Sequence, residues 1–567
     1  MLKTKIVSSQ IKAFIDDSID LFKEFKKGSA LKGEKYSVQF LYVDEGESDI
    51  PSRPICSYKL EGDLSPYATL RDVRNVPVER PINQYYGADA QYLRTTPGIY
   101  PDILTPLRYN NQIVIGRDKL RSVWIEIDIP EDFKGDGKLK FSLFLASASV
   151  GDTANLVFDE QPPIAVNEFE IEVIDVALPE QTTLYTQWFY PDCLASYYNV
   201  EVWSERHWEI IEKHLKAYAE RGRNMVYTPV LTPALNVVPP YYRNPAQLVQ
   251  VTVNNGEYSF DFSYLDRWID IMDKVGIKYI EISHLFHQKP VEYAAKVYAT
   301  IDGEYKLLFG WETLSLSDEY ITFLRQMLTE MVAHLKKRGD DKRCYYHIAD
   351  EPTAKTLEHY LKQKETIADI IKGYPVMDAL SNIEFYESGA VEIPVPSTPH
   401  AMPFIEKNVE ELWVYYACNE VLGYSNCYLS MPSWRTRSLG LQLFKYNIKG
   451  FLHWGFNYYN NRCSGDAINP YLDLGGEDWV CAGDTFNVYP DQNGDVLESI
   501  RSLSLEEAFQ DIRALQLCEK YYSHEEVVKA LEEELGAEIT FERCAWSEEE
   551  MLNARERINK MIADKIA

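Results

Sequence analysis

The sequence predicts an all-β sandwich over residues 1–178, a (β/α)8 TIM-type barrel over residues 179–480, and a mostly helical extension over residues 481–567 packed on the barrel. Three observations carry this reading. Short alternating runs separated by Gly, Pro and Asp turns fill the first third of the chain. After Leu178-Pro179-Glu180, amphipathic stretches close on a glycine and lead at once into apolar runs, and eight such runs follow. With 567 residues, 46% of them hydrophobic, the chain can bury more than one core.

In order, the sandwich strands are residues 36–42, 123–129, 139–145 and 169–174, with a turn at Lys134-Gly-Asp-Gly137. No acids, histidines or nucleophiles group there, so this part has a supporting role. The barrel strands are residues 183–190, 225–231, 277–282, 345–349, 374–380, 391–395, 412–417 and 451–456. Gly222, Gly276, Gly339, Gly373 and Gly450 precede five of them, in keeping with helices that end through a left-handed residue. Apolar stripes mark the helices, as at Trp203, Ile211, Leu215 and Tyr218, and at Tyr320, Phe323, Leu324, Met327, Met331 and Leu335. Ser315 with Asp318, and Ser263 with Asp266, have capping-box spacing.

Composition excludes several classes. The balance of 58 basic against 87 acidic residues gives a net charge of −29, which disfavours nucleic acid and anionic membranes as partners. No run is long enough to span a bilayer, and Met1 to Gln10 lacks the apolar core of a signal peptide. A soluble, cytoplasmic protein without membrane insertion is expected. Nine cysteines without paired metal-type spacing agree with a reducing compartment. Forty Tyr and eleven Trp supply flat rings that stack on sugar faces, although most such rings pack cores.

The chemistry centres on Cys344-Tyr-Tyr-His-Ile-Ala-Asp-Glu-Pro352. Pro352 disfavours a helical Glu351, and Thr353 is placed to cap the next helix. Asp350 and Glu351 therefore stand at the C-terminal end of strand four, the end that faces a barrel's active-site mouth. Their structural alternative is to cap the following helix, whose N-terminus favours negative charge. Retaining glycosidases use two carboxyls about 5–5.5 Å apart on either side of the scissile bond. Strand seven, however, ends Tyr415-Tyr-Ala-Cys-Asn419, with no carboxylate before Glu420. Substrate assistance dispenses with a protein nucleophile, because the substrate's own acetamido oxygen attacks. Adjacent acids suit that division of labour. The alternatives are a protein nucleophile, Glu420 or Glu384, or a glycan-binding protein without turnover.

Four segments then form a pattern: Tyr346-His-Ile-Ala-Asp-Glu-Pro352, Met431-Pro-Ser-Trp-Arg-Thr-Arg-Ser-Leu-Gly-Leu-Gln442, Lys449-Gly-Phe-Leu-His-Trp-Gly-Phe-Asn457 and Gly483-Asp-Thr-Phe-Asn-Val-Tyr-Pro490. With Gly28-Ser-Ala-Leu-Lys-Gly-Glu-Lys-Tyr-Ser-Val-Gln39, the chain resembles glycoside hydrolase family 123 over most of its length. The resemblance implies an exo-acting β-N-acetylgalactosaminidase that retains configuration through an oxazoline-type intermediate. Its substrates would be oligosaccharides or glycolipid glycans with a terminal β-linked N-acetylgalactosamine. Asp350 and Glu351 match the family's catalytic pair, with Glu351 as general acid/base and Asp350 ionised against the acetamido N–H.

Further candidates for sugar contact come from strand ends: Trp188, His284, Asn382, Tyr415, Trp454 and Asn457. Trp434, at the start of the helix after strand seven, could stack on the sugar, and Tyr415 could donate to the acetamido oxygen. For the aromatics, core packing is the standing alternative, since barrel interiors are filled with side chains. No metal and no cofactor are expected. His284 and His287 near Glu281 lack the spacing of a zinc-hydrolase helix, and Asp491-Gln-Asn-Gly-Asp495 lacks a full calcium loop.

Overall fold

A computed structural model describes residues 1–46, 55–107, 112–145, 162–543, 545 and 547–566. The chain forms two compact units, one of residues 1–182, 425–445 and 497–567, the other of residues 183–424 and 446–496. This division departs from the sequence partition at residue 480, because two later segments group with the β-rich start.

In the first unit, one antiparallel sheet runs in the order Leu2–Ser8, Lys35–Asp44, Arg121–Asp128, Ala68–Val78 and Gly98–Pro106. A second runs Lys27–Lys32, Ala165–Ala177, Lys138–Leu145, Ile55–Glu61 and Gln112–Val114, with its first pair parallel. Alternation explains the packing. Val38, Phe40, Val123, Ile125, Phe141, Leu143 and Ile171 lie two apart along their strands and share one buried cluster, in which Phe40 stacks on Phe141 at 4.3 Å. Gly137 closes the predicted turn at φ 68°, where a Cβ would strike the Ile171 carbonyl.

The same unit holds the helices Ser433–Arg437, Leu439–Lys445, Ile500–Cys518, His524–Leu535 and Glu548–Ile566, whose apolar faces form a second cluster with Leu31 and Ile174. A buried ion network ties them together. Asp511 accepts from Arg437 at 2.7 and 2.9 Å and from Arg555 at 2.7 Å, while Arg555 also reaches Glu34 at 2.7 Å.

The second unit contains parallel strands at all eight predicted places. Six form one sheet, in the order Cys344–Tyr346, Tyr279–Ile282, Met225–Thr228, Leu184–Gln187, Gly450–His453 and Trp413–Tyr416. Met377–Ala379 and Ile393–Val395 form a separate parallel pair. Single parallel bridges, Tyr346 to Val376 and Ser397 to Tyr415, join this pair to both edges of the sheet. The pair is short because Pro375, Pro394 and Pro396 lack the N–H that a longer ladder needs.

Helix ends correct several details of the sequence reading. Gly276 and Gly339 are left-handed caps at φ 91° and 86°. Gly450 is not a cap; it lies in its strand, where a Cβ would enter the Trp413 indole. Ser317, rather than Ser315, caps Asp318–Arg338, and Ser263 is itself the first helical residue. A four-stranded sheet absent from the sequence reading comprises Glu257–Asp261, Gln250–Asn254, Val297–Ile301 and Glu304–Phe309. Among the described residues, no helix is long and apolar enough to cross a membrane.

Replacing Asp511 with Ala removes the carboxylate that two buried guanidinium groups share, leaving Arg555 with Glu34 at 2.7 Å and Arg437 with Glu507 at 3.4 Å, so the loss should approach but not exceed the about 3–5 kcal/mol of a broken buried pair. Denaturant unfolding of the full chain should show that loss. A change below about 1 kcal/mol would mean that the network contributes little to holding the helices.

Candidate active site

Strand Cys344–Tyr346 ends before the predicted Ala349, because the chain beyond it bonds irregularly. The Ile348 N–H donates to Asp378 Oδ2 at 3.1 Å, and the Ile348 carbonyl accepts from the Phe286 N–H at 3.0 Å. The Glu351 N–H donates to the Ala379 carbonyl at 3.1 Å, and Glu351 adopts φ 45°, a left-handed conformation uncommon for a residue with a side chain. On a regular strand, neighbouring side chains point to opposite faces. This turn instead lets Asp350 and Glu351 line one cavity of about 290 Å³. Thr353 does not cap the next helix, Leu357–Glu365; its N–H donates to Thr356 Oγ1 at 2.9 Å.

The two carboxyls have unlike surroundings. Glu351 accepts from the Tyr415 hydroxyl at 2.8 Å and from Gln288 Nε2 at 3.1 Å, with Lys289 Nζ at 4.0 Å. Asp350 is 6% exposed, and its Oδ1 has no hydrogen-bond partner among the described residues. Burial, followed by the charge of Glu351, holds Asp350 well above the usual aspartate range. Burial and the same Glu351 charge keep the Tyr415 phenol protonated, so it acts as a donor.

Aromatic rings form the walls. Trp188, Trp454 and Trp479 line the cavity, and the last two lie 5.4 Å apart. Trp188 Nε1 donates to Glu281 at 2.7 Å and Trp454 Nε1 to Asp484 at 3.0 Å, so each indole is held through its polar edge. Behind Asp350, His347 bonds Glu281 at 2.8 Å and Asp378 at 3.0 Å, and Asp378 also accepts from the Tyr360 hydroxyl. A cleft with paired acids at one strand end and tryptophan walls suits acid/base chemistry on a sugar.

The family profile described as "Glycoside hydrolase 123, catalytic domain" matches residues 188–518. The chain belongs to glycoside hydrolase family 123. It is thus a glycosidase by family. A family 123 glycoside hydrolase from Clostridium perfringens, studied for glycolipid glycan hydrolysis, shares the fold with a TM-score of 0.74 at 18% identity, over 100% of this chain and 99% of that one. A Rhizomucor miehei family 5 mannosidase aligns at a TM-score of 0.35 and 11% identity, over 59% of this chain and 94% of its own. No match was found among curated protein sequences.

In this family 123 chain the cavity gathers Asp350, Glu351, Trp188, Tyr415 and Trp454 from the sequence candidates. The other four lie elsewhere. His284 is fully buried, stacked on His347 at 4.2 Å and 3.1 Å from the Tyr227 hydroxyl. Asn457 braces the backbone of Tyr190 through both ends of its amide. The Asn382 carbonyl accepts from the Phe385 N–H, where a short helix begins. Trp434 belongs to the first unit, where it borders a separate cavity with Phe22, Phe25 and Tyr36. Gln288, Lys289, Arg462, Cys463 and Trp479 line the site unanticipated, all from segments without periodic pattern, Arg462 and Cys463 from the single 3-10 turn Arg462–Ser464.

Neither proposed nucleophile lines the cavity. Glu420 is buried, takes the Ala417 N–H at 2.6 Å and is pushed by burial up to about 7, while Glu384 is exposed on its helix. His284, His347 and Asp378 bring ligand-type atoms within 4.8 Å of one another. Both His347 nitrogens face carboxylates, Glu281 at 2.8 Å and Asp378 at 3.0 Å, so Asp378 is at once a member of this group and a hydrogen-bond partner of His347.

Asp350 binds its proton more tightly in the folded chain than in the unfolded one, so its contribution to stability falls as pH rises through and above the ordinary aspartate range. Asp350→Asn should therefore stabilise the protein at about pH 7 by roughly 1–3 kcal/mol. The gain should fade toward about pH 4. Calorimetry across that range checks this; an Asn variant less stable at neutral pH would contradict the buried, unpartnered state of Asp350.

Proposed function

We propose that the chain is a retaining, exo-acting hydrolase that releases terminal β-linked N-acetylgalactosamine from oligosaccharides or glycolipid glycans by substrate-assisted catalysis. One observation carries the reading: the only carboxylates lining the cavity, among the described residues, are the adjacent Asp350 and Glu351. A protein nucleophile needs a second carboxylate facing the anomeric carbon from across the sugar. The glycolipid activity of the Clostridium perfringens relative supports the substrate class. We further read the eight parallel strands, with their bridging pair, as a (β/α)8 barrel whose strand ends carry the site.

The two carboxyls share one proton. Before substrate binds it favours Asp350. An acetamido N–H that donates to the free Asp350 Oδ1 stabilises the carboxylate form, and the proton is then best held by Glu351, with Tyr415 and Gln288 fixing that carboxyl. The acetamido oxygen attacks the anomeric carbon, and the departing glycosidic oxygen takes the proton from Glu351. The resulting oxazolinium ion is positive and lies against anionic Asp350. Glu351, now a carboxylate, removes a proton from the water that reopens the ring. The tryptophan faces hold the pyranose.

Successive fluorination of the acetyl group weakens its oxygen as a nucleophile, so kcat should fall stepwise along an N-fluoroacetyl series with the leaving group constant. A flat series, or turnover of a plain β-galactoside at a similar rate, would point to a protein nucleophile.

Leaving-group dependence separates the acids. Glu351→Ala should cost about 10²–10⁴-fold with poor leaving groups, much less with activated aryl groups, and azide should partly restore it. Asp350→Asn should lose activity with little regard to leaving group. Reversed sensitivities would overturn the assignment.

A further inference from the structure

As an anion in the working site, Asp350 meets a physical difficulty. A buried carboxylate beside a second carboxylate resists ionisation, and the groups that face Asp350 differ in sign. Glu351 and Asp378 oppose its charge, while His347 and Lys289 favour it. The rings of Tyr227 and Tyr415 also lie close, and both phenols stay protonated. Lys289 is 65% exposed at its side chain, so water screens it. His347 is fully buried and unscreened.

The surroundings of His347 hold it as a cation. Its Nε2 lies 2.8 Å from Glu281 and its Nδ1 3.0 Å from Asp378, one carboxylate for each ring nitrogen. Between two ionised carboxylates a neutral imidazole, with its one N–H, would leave one contact as acceptor against acceptor, whereas the imidazolium donates to both; burial raises Asp378, and the Tyr360 hydroxyl and the Ile348 N–H donate to its Oδ2 in favour of the ionised form. The carboxylates are themselves fixed, Glu281 by Thr186 and Trp188, and Asp378 by Tyr360 and the Ile348 N–H. The neighbouring ring is of the opposite kind. His284 stacks on His347 and lies against Trp188 and Tyr227, and burial, then the His347 charge, holds it neutral. For His347, burial opposes the charge, but the hydrogen bonds to Asp378 and Glu281 outweigh it and raise the group to about 9.

We propose that His347, clamped as an imidazolium between Glu281 and Asp378, is a positioning residue that supplies the fixed positive charge against which Asp350 ionises once substrate enters. It never touches the sugar. Its effect passes through the field at Asp350 and through the backbone at Ile348, which shares Asp378 with the histidine. The proposal rests on the substrate-assisted reading for the role of Asp350, whereas the charge state of His347 does not.

Two measurements test it. Side-chain ¹⁵N signals of histidine-labelled full-length protein should show His347 doubly protonated at about pH 7.5 and His284 neutral. In activity against an aryl β-N-acetylgalactosaminide, His347→Gln should keep a donor toward one of the two carboxylates but lose the charge. The bell-shaped pH profile of kcat/KM should then move to higher pH by about one unit. A profile that lost height without moving, or a neutral His347 in the spectrum, would overturn the proposal. If the Gln variant does not fold, His347→Asn, also uncharged, is read by the same pH profile. A flat fluoroacetyl series would instead sink the substrate-assisted reading while leaving the measured charge of His347 intact.

Discussion

Two neighbouring carboxylates facing one cavity is the constraint on which the site depends. Adjacent residues diverge on a regular strand, so the strand must end early and the backbone must turn. The left-handed Glu351 is the local cost, of order 1–3 kcal/mol for such conformations, and it is held by hydrogen bonds from Ile348 and Glu351 into the next strand segment. The same requirement explains the unlike surroundings of the acids. Two equivalent carboxyls would share the proton without preference. Here one is buried with an unpartnered Oδ1 and the other is hydrogen-bonded and partly open, so the two acids are not equivalent.

The layer behind the pair follows from that charge. Asp350, Asp378 and Glu281 place three carboxyls in a poorly solvated region, and a single imidazolium stands among them. Taking charges out of water is costly unless each has a partner of good geometry. Tyr360, Thr186, Trp188 and the Ile348 N–H provide the partners that His347 does not. Trp188 thereby serves twice, with its ring facing the cavity and its N–H ordering the layer beneath.

Much of this was legible in the sequence where local pattern and tertiary role coincide. All eight strand positions in the second unit were marked by apolar runs, five of them after a glycine, and the acid pair stood out by its chemistry. Trp188, Tyr415 and Trp454 followed from their place at strand ends. Less was legible where a side chain's direction decides its role. His284 and Asn457 also sit at strand ends, yet turn to a ring stack and to the Tyr190 backbone. Trp434 shows a different failure, since helix periodicity does not tell which unit a helix joins. The four-stranded sheet did carry a signal. Asn255-Gly256 and Asp302-Gly303 are two-residue hairpin turns with both residues at positive φ, set between short alternating runs.

The loop residues were hidden for a more basic reason. Gln288, from a loop, and Tyr415, from the strand Trp413–Tyr416, lie more than a hundred residues apart, and Gln288 matters because it reaches one Glu351 oxygen while Tyr415 reaches the other. No periodicity in either segment encodes that meeting. What the sequence does encode is the scaffold that makes it possible: parallel strands of fixed order, whose ends lead into short, patternless loops. A carboxyl gripped on both oxygens is held in one orientation, and a proton delivered to a glycosidic oxygen must come from a group so held. The pair of acids is therefore written in one tripeptide, but the difference between them is assembled from the loop of Gln288 and the strand of Tyr415 and cannot be found in either alone.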